Sequence, residues 1–406
     1  MSSTSGGTTY RTTGRHGGAR SLIISLALPE QTIGLLLGTE EDWPAAFEAL
    51  VGRLGPVDGT TLRTARILNE PFDLRYRPEY ALVIDRLAWW YDLPRAWLKK
   101  IALMDDVYLL NNPFTFQAME KHSAYCALMR LGIRVPETWL IPHKVPPTNP
   151  RFQETAERYN APFDLEAIGE KIGYPLFMKP FDGGQWIGVS RVGSAEELRG
   201  NYDDSGQRMM HLQTALEDFD VFVRSLSIGA ETMSMWFDPG KPMYDRYQVR
   251  HDFLSPELGD EIVSISRLVN AFFRWEFNSC ETIVKDGIAY PIDYANASPD
   301  VALTSLHYYF PWAIKALVRW SAFCAVTRRP MLVNQNSRDY FQVDEYREFC
   351  ETHLADLDEI AYDWFTSTEF DGVLVRTVTT TFPQHEHERF VAHYRGLMAA
   401  WATDNA

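Results

Sequence analysis

Between Glu281 and Asn296 the chain carries two carboxylates, Glu281 and Asp293, on short apolar runs joined by Lys285-Asp286-Gly287, with the amide of Asn296 just beyond. That set of oxygens suits a hard divalent cation. Mg²⁺, or Mn²⁺ in its place, takes oxygen ligands, uses one or two protein carboxylates, and leaves its other positions to water and phosphate. We therefore expect Glu281, Asp293 and Asn296 as metal ligands and a nucleotide site upstream. Register sets a condition on the clamp. A connecting loop with an odd number of residues puts Glu281 and Asp293 on the same face of a hairpin, a three-residue loop of Asp286 to Ile288 sets them directly opposite, and an even loop separates them. Opposed bare carboxylates repel, so an opposed pair calls for a cation. The plainer alternative is a solvated acidic hairpin edge.

Upstream, Gly173-Tyr174-Pro175-Leu176-Phe177-Met178-Lys179-Pro180 reads as a strand ending in a lysine, followed at once by Phe181-Asp182-Gly183-Gly184-Gln185-Trp186-Ile187-Gly188-Val189. A cation at a strand end can meet phosphate oxygens, and Gly183, Gly184 and Gly188 let backbone N–H groups approach them. Ser190-Arg191-Val192 resumes a strand, and Ser194 with Glu197 spells a capping box that opens the next helix. The glycines thus sit in a hairpin. Walker loops and dinucleotide fingerprints run from strand into helix, so this is neither. A glycine pair in a hairpin is by itself a plain turn; the lysine before it and the acid–amide set after it give it a nucleotide reading.

From about Asn111 to Asp300 the sequence resembles the ATP-grasp superfamily, and within it the carboxylate–amine ligases such as D-alanine–D-alanine ligases and ribosomal-protein glutamate ligases. The resemblance starts at Asn111-Asn112-Pro113 and the helix bearing Lys121. It continues through Leu131-Gly132-Ile133-Arg134-Val135-Pro136-Glu137-Thr138, which looks like the family's helix, glycine stop and proline approach to the lid. The resemblance implies that Lys121 and Lys179 bind ATP phosphates. It makes Met210-His211-Leu212-Gln213-Thr214-Ala215-Leu216 the adenine hinge, with Gln213 and Leu216 at the base and Asp220 at the ribose. It also implies an arginine for the oxygen that turns negative during amine attack. Arg250 in Tyr247-Gln248-Val249-Arg250-His251 is the candidate, with Arg274 and Arg224 as rivals.

The implied fold is α/β (α+β): an ATP-grasp fold with an N-terminal α/β lobe, a lid subdomain, a metal-binding subdomain and a C-terminal helical extension. The implied reaction joins a small-molecule carboxylate to an amine through an acyl phosphate, releasing ADP and phosphate. A phosphotransferase on the same fold and a non-catalytic nucleotide-binding scaffold are the alternatives. The sequence departs from the family pattern at three points. Gln213-Thr214 offers the hinge no charge, the bulky Trp186 stands in the flap, and Tyr294-Ala295 sets Asn296 one residue further from Asp293 than usual, a spacing that a bulge would absorb.

At 406 residues with 46% hydrophobic content, the chain can bury a large core in several lobes. A net charge of -15 with no basic stripe argues against nucleic acid and membrane surfaces as partners. ATP is also an anion, so its binding must rest on local lysines and on magnesium, and Mg-free ATP should bind weakly. The four cysteines, Cys126, Cys280, Cys324 and Cys350, form no Cys-x-x-Cys pair and read as buried reduced thiols. His385-Glu386-His387 reads as a solvated face.

Five segments are expected. Residues 1–20, Ser, Thr, Gly and Arg with no acid, form a disordered tail; 21–115 an α/β domain; 116–211 the lid and its leading helix; 212–304 the subdomain with the clamp; and 305–406 a helical extension. The prolines at 142, 146, 147 and 150 mark an extended insertion on the lid. No small-residue cleavage pattern follows the apolar run Ser21 to Leu28, so a secretory signal is not expected and the chain reads as cytoplasmic. Leu306 to Val326 is broken by His307, Lys315 and Arg319 and reads as an amphipathic helix, not a membrane span. Helical tails of this kind often pair, which leaves a homo-oligomer open.

Overall fold

The computed structural model of the chain describes residues 29–115, 121–146, 158, 162–181, 184, 186–242, 245–294, 296, 299–331, 348, 352 and 357–404. The predicted tail 1–20, Gly183, Cys350 and most of the proline-rich insertion lie outside the described residues. The chain falls into two compact units that divide after residue 333.

The first unit begins with a parallel sheet. Strands β1 (Glu30–Leu36), β2 (Thr61–Arg66), β3 (Leu82–Asp85) and β4 (Tyr108–Leu110) lie in the order β2-β1-β3-β4. Parallel neighbours need crossovers, supplied by helices Asp42–Val51 and Asp92–Met104. Such a sheet is covered on both faces, which is why Leu82, Val83 and Ile84 form an unbroken apolar run and all lie buried.

The lid follows helix Lys121–Arg130 and is antiparallel: β5 (Thr138–Ile141), β6 (Leu176–Pro180), β7 (Ser190–Val192) and β8 (Met210–Thr214), ordered β5-β8-β6-β7. Side chains alternate across a strand. Leu176 and Met178 on β6 and Met210 and Leu212 on β8 pack with helices Leu165–Ile172 and Ala195–Asp204, which hands Phe177, Lys179, His211 and Gln213 to the other face. Ser194 Oγ accepts the N–H of Glu197 as the capping box requires, but the Glu197 carboxylate reaches back to the N–H of Gly193, one residue short of the usual partner.

The third sheet is antiparallel, β11-β10-β9-β12-β13, built from β9 (Val221–Ile228), β10 (Glu231–Phe237), β11 (Tyr247–Gln248), β12 (Phe277–Lys285) and β13 (Ile288–Asp293). Helix Pro256–Phe273 covers one face through Ile262, Ile265 and Val269. The other face packs on helix Phe310–Val326, whose Ala313, Ile314 and Leu317 share a core with Leu226, Ile228 and the first sheet's Ile33 and Leu35. That helix therefore belongs to the first unit. In the second unit, helices Leu357–Phe365, Thr368–Thr381 and His387–Asp404 pack together, with Arg395 bridging both oxygens of Asp371 at 2.6 Å. Among the described residues, no helix is long and apolar enough to cross a membrane.

Of the cysteines, Cys280 and Cys324 are buried and free, whereas Cys126 is exposed on helix Lys121–Arg130. Its helix buries Ala124, Tyr125, Ala127 and Leu128, and position 126 falls between the buried faces, so the expectation of burial does not hold there.

Gly229 closes the turn between β9 and β10 at φ +57°, and a Cβ there would lie 2.0 Å from the Trp320 ring. Gly229→Ala should therefore cost about 2–3 kcal/mol, from overpacking added to the left-handed backbone. A urea melt checks this, and an unchanged midpoint contradicts the close approach.

Candidate active site

The clamp hairpin is built differently from the expected one. Lys285 pairs with Ile288, so the connection is the two-residue turn Asp286-Gly287, with φ of +52° and +70° as a type I′ turn requires. An even loop of this kind would offset Glu281 from Asp293. A bulge restores the pairing: Thr282 faces Pro291, but the next pair is Glu281 with Asp293, which leaves Ile292 as the extra residue on β13. The two carboxylates are thus direct cross-strand neighbours, by a different route from an odd loop.

On its other side Glu281 pairs in register with Arg224 of β9. The row Arg224, Glu281, Asp293 runs across three strands, one cation followed by two anions. Arg224 Nη1 lies 3.8 Å from Glu281 Oε1, and its guanidinium sits 5.4 Å from the Phe237 ring centre. Lys121, only 7% exposed, closes the far end of the row, with Nζ 3.0 Å from Asp293 Oδ2. Helix and lid are joined at this point, because the Lys121 backbone N–H donates to the carbonyl of Phe181 at the end of β6. Lys179 donates to Gln213 Oε1 at 2.7 Å and to the Ile292 carbonyl at 3.3 Å, over the face of Tyr125.

These charges shift one another. Burial raises the Glu281 carboxyl; Arg224 opposes this and Asp293 adds to it. Burial would lower Lys121, but Asp293 outweighs it and holds the ammonium above its ordinary value. For Lys179 burial wins. With Lys121 also repelling it, Asp293 recovers only part of the loss, and its pKa falls to about 8. Arg224 resists its burial because Tyr247, Glu281, Asp300 and Asp293 surround it, and it stays above its usual range. Behind the lysines, His211 pairs in register with Lys179, is fully buried, and is pulled down to about 3 by burial and by Lys179 and His122, so it is neutral.

Lys121, Lys179, Glu281, Asp293 and Asn296 line one cavity of about 740 Å³, within the size range of small-molecule sites. Asn296 donates its amide N–H to Ser279 Oγ at 3.1 Å, and its backbone N–H goes to Asn278 Oδ1, which fixes the chain beyond the clamp. Gln213, Leu216 and Gly184 also line the cavity. Gln213 is buried, and its Nε2 donates to Thr138 Oγ1 at 2.7 Å, so its amide is fixed at both ends.

Three expected residues lie outside that lining. Arg250 is exposed, 3.6 Å from Asp252 and stacked near Trp236; it follows β11 and does not reach the cavity. Asp220 accepts the N–H of Gly287 at 3.1 Å and so caps the turn of the clamp hairpin. Gly188, at φ +76°, packs against Arg208 and Pro180, where a Cβ would collide. The arginines that do line the cavity are Arg86, Arg224 and Arg246. Arg224 was named in the sequence only as a rival to Arg250 for the arginine that the resemblance implies. Arg86 and Arg246 had no comparable signal, because the tertiary fold brings in each from a different lobe or strand. Trp186 lines the cavity at φ +62°, a backbone region that costs a large residue roughly 1–2 kcal/mol.

With these elements and this site, the chain has the ATP-grasp fold, and solved structures of that fold are similar to it. A RimK domain ATP-grasp protein from Sphaerobacter thermophilus matches at 13% identity and a TM-score of 0.51, over 72% of this chain and 98% of that one. A D-alanine–D-alanine ligase from Bacillus anthracis, solved in complex with ATP, matches at 14% identity and 0.50, over 74% of this chain and 99% of that one. A further structure of that ligase gives 14%, 0.51, 74% and 100%. No family profile and no curated protein sequence matches the chain.

Lys179 gives a test of the electrostatics. Phosphate oxygens placed at Lys179 would favour its charged form, so a protein liganded there would hold more protons than the free protein above pH 8, and affinity would fall as pH rises through that value. ATP Kd should be nearly flat from about pH 6 to 7.5 and weaken roughly tenfold by about pH 9, while Lys179→Arg flattens the curve. Lys179→Ala should weaken binding by roughly tenfold to a hundredfold at neutral pH. Calorimetric titration across pH checks both, and a flat profile for the unmodified protein would contradict the lowered pKa.

Proposed function

We propose that this chain is an ADP-forming ligase that joins a carboxylate to an amine in the cavity lined by the lid sheet and the five-stranded sheet. The observation that carries this reading is the convergence of two buried lysines with the Arg224–Glu281–Asp293 row on one cavity. The donor chemistry fits magnesium. Glu281 and Asp293 offer carboxylate oxygens and Asn296 an amide oxygen, few enough ligands to leave positions for phosphate. The D-alanine–D-alanine ligase of the same fold, solved with ATP, adds support at the level of fold.

Bound Mg-ATP supplies the phosphoryl group that turns a carboxylate oxygen, otherwise a poor leaving group, into a phosphate. The chain supplies position and charge, which carry nearly all the catalysis in such transfers. Lys121 from the helix before the lid and Lys179 from the lid would hold phosphate oxygens, Glu281, Asp293 and Asn296 would hold the metal from the sheet side, and Gln213 and Leu216 would flank the base. Arg224 stays charged at every accessible pH and stands next to Glu281. It is the group best set to bind the carboxylate and then the oxygen that becomes negative when the amine attacks. Amine attack forms the C–N bond and expels phosphate, and the amine's proton leaves with the departing phosphate or with water.

Mg-ATP with hydroxylamine and pooled carboxylic acids should yield hydroxamate, ADP and phosphate in equal amounts. A stable phosphate ester without free phosphate would point to a phosphotransferase instead, and no nucleotide turnover by folded protein to a scaffold. Arg224→Lys should lower turnover by roughly a hundredfold or more, and Arg250→Ala by less than about twofold. Equal effects of the two would remove Arg224 from this role.

A further inference from the structure

We propose that the carboxylic acid taken by this cavity carries a flat aromatic ring, seated against the indoles of Trp89, Trp90 and Trp186. The proposal rests on the ligase reading above and names its substrate class.

The loop after β3 bears two of these indoles, and it is held rigidly. Asp85, itself buried, accepts the N–H groups of Leu87 and Ala88 at 2.9 Å, and Arg95 donates to the carbonyls of Ala88 and Trp89 at 2.7 and 2.8 Å. Arg86 ties the same loop to the segment after β1 and to the chain beyond β13, donating to Glu40 at 2.8 Å and to the carbonyl of Pro299 at 2.8 Å. Three charged side chains are thus committed to the position of one loop. What that loop presents to the cavity is a pair of indoles, set edge to face with centres 6.3 Å apart.

Charge on this wall is cancelled. Glu40 and Arg86 both line the cavity, but each is the other's partner, so the wall offers no net charge to a polar substrate and the indoles dominate it. Yet Trp90 is 46% exposed, Trp186 53% and Ile187 64%, all inside a concave site. Apolar surface concentrated in a cavity and left to water marks the place of an apolar ligand. Stacking and edge contacts to a flat ring use such indoles better than an aliphatic chain does.

The adenine base is not that ring. Phe177, Gln213 and Leu216 line the cavity from the lid, whereas Trp89 and Trp90 come from the parallel lobe. Between acid and amine, the acid is favoured. Its acyl phosphate must be kept from water before the amine arrives, and an apolar group beneath Trp186 and Ile187 excludes water over the reacting carbon.

The test uses the full chain with Mg-ATP and hydroxylamine, comparing benzoate, 3-phenylpropionate and indole-3-acetate with acetate, succinate and alanine. The kcat/KM for at least one aromatic acid should exceed that of every aliphatic one by about tenfold or more. Trp90→Ala should raise KM for that acid roughly five- to twentyfold and leave KM for ATP unchanged, and Trp186→Gly should raise KM for that acid by a similar factor. Both sites are half exposed, and glycine suits the backbone at 186, so neither variant threatens folding. In parallel, tryptophan fluorescence with a non-hydrolysable ATP analogue reads binding of the same acids without turnover. Saturable quenching by aromatic acids without catalysis supports the subsite and sinks the ligase reading. Turnover of aliphatic acids alone does the reverse. A rise in KM for ATP in Trp90→Ala, or neither binding nor turnover of any aromatic acid, overturns the inference.

Discussion

Two carboxylates held face to face on adjacent strands cannot both stay ionised in a buried site without cations around them, and the architecture of the first unit answers that constraint. Arg224 stands at one end of the row and Lys121 at the other. The first comes from the same sheet and the second from the helix that leads into the lid. Neutralising Asp293 thus requires the helix before the lid and the five-stranded sheet to meet. Lys121 and Asp293 form an ion pair, so a metal at Asp293 and a phosphate at Lys121 would exchange one ion pair for two.

The bulge at Glu281 shows how little freedom the hairpin has. Asp286-Gly287 is a strong two-residue turn, with residues suited to the left-handed backbone it needs. Kept regular, that turn would place Ile292 opposite Glu281 and bury the wrong chemistry. The inserted residue instead puts Asp293 opposite Glu281, and the Ile292 carbonyl, released from regular pairing, accepts hydrogen bonds from Lys179 and Tyr125. A local irregularity thus supplies both a ligand and an acceptor.

Much of this was legible in the sequence. The order of lysine, glycine hairpin and acid pair pointed to the fold, and alternation along β6 announced that Lys179 and Phe177 share a face. The bulge between Glu281 and Asp293 was not legible, because it depends on which of two registers packs better across β12 and β13, a tertiary choice. Arg250 was the expected arginine on the strength of family position alone; it lies outside the cavity lining, whereas Arg224 pairs in register with Glu281. The loop bearing Trp89 and Trp90 gave no motif, since its bracing by Asp85, Arg95 and Arg86 joins residues that only folding brings together. The helix Phe310–Val326 read as part of an extension, but its alanines let it lie close on the sheet as core.

Asp220 has a consequence beyond its hydrogen bond. Its backbone N–H donates to Val284, its carboxylate receives Gly287, and Lys285 donates to the carbonyl of Glu217, so the connector leaving β8 is stitched to the tip of the clamp hairpin. The segment that would cradle a base and the hairpin that would grip an ion are therefore one mechanical piece. Any tilt of the lid that drags this connector also drags the hairpin tip, so a shorter or longer nucleoside would be felt at the carboxylates as a change of aim.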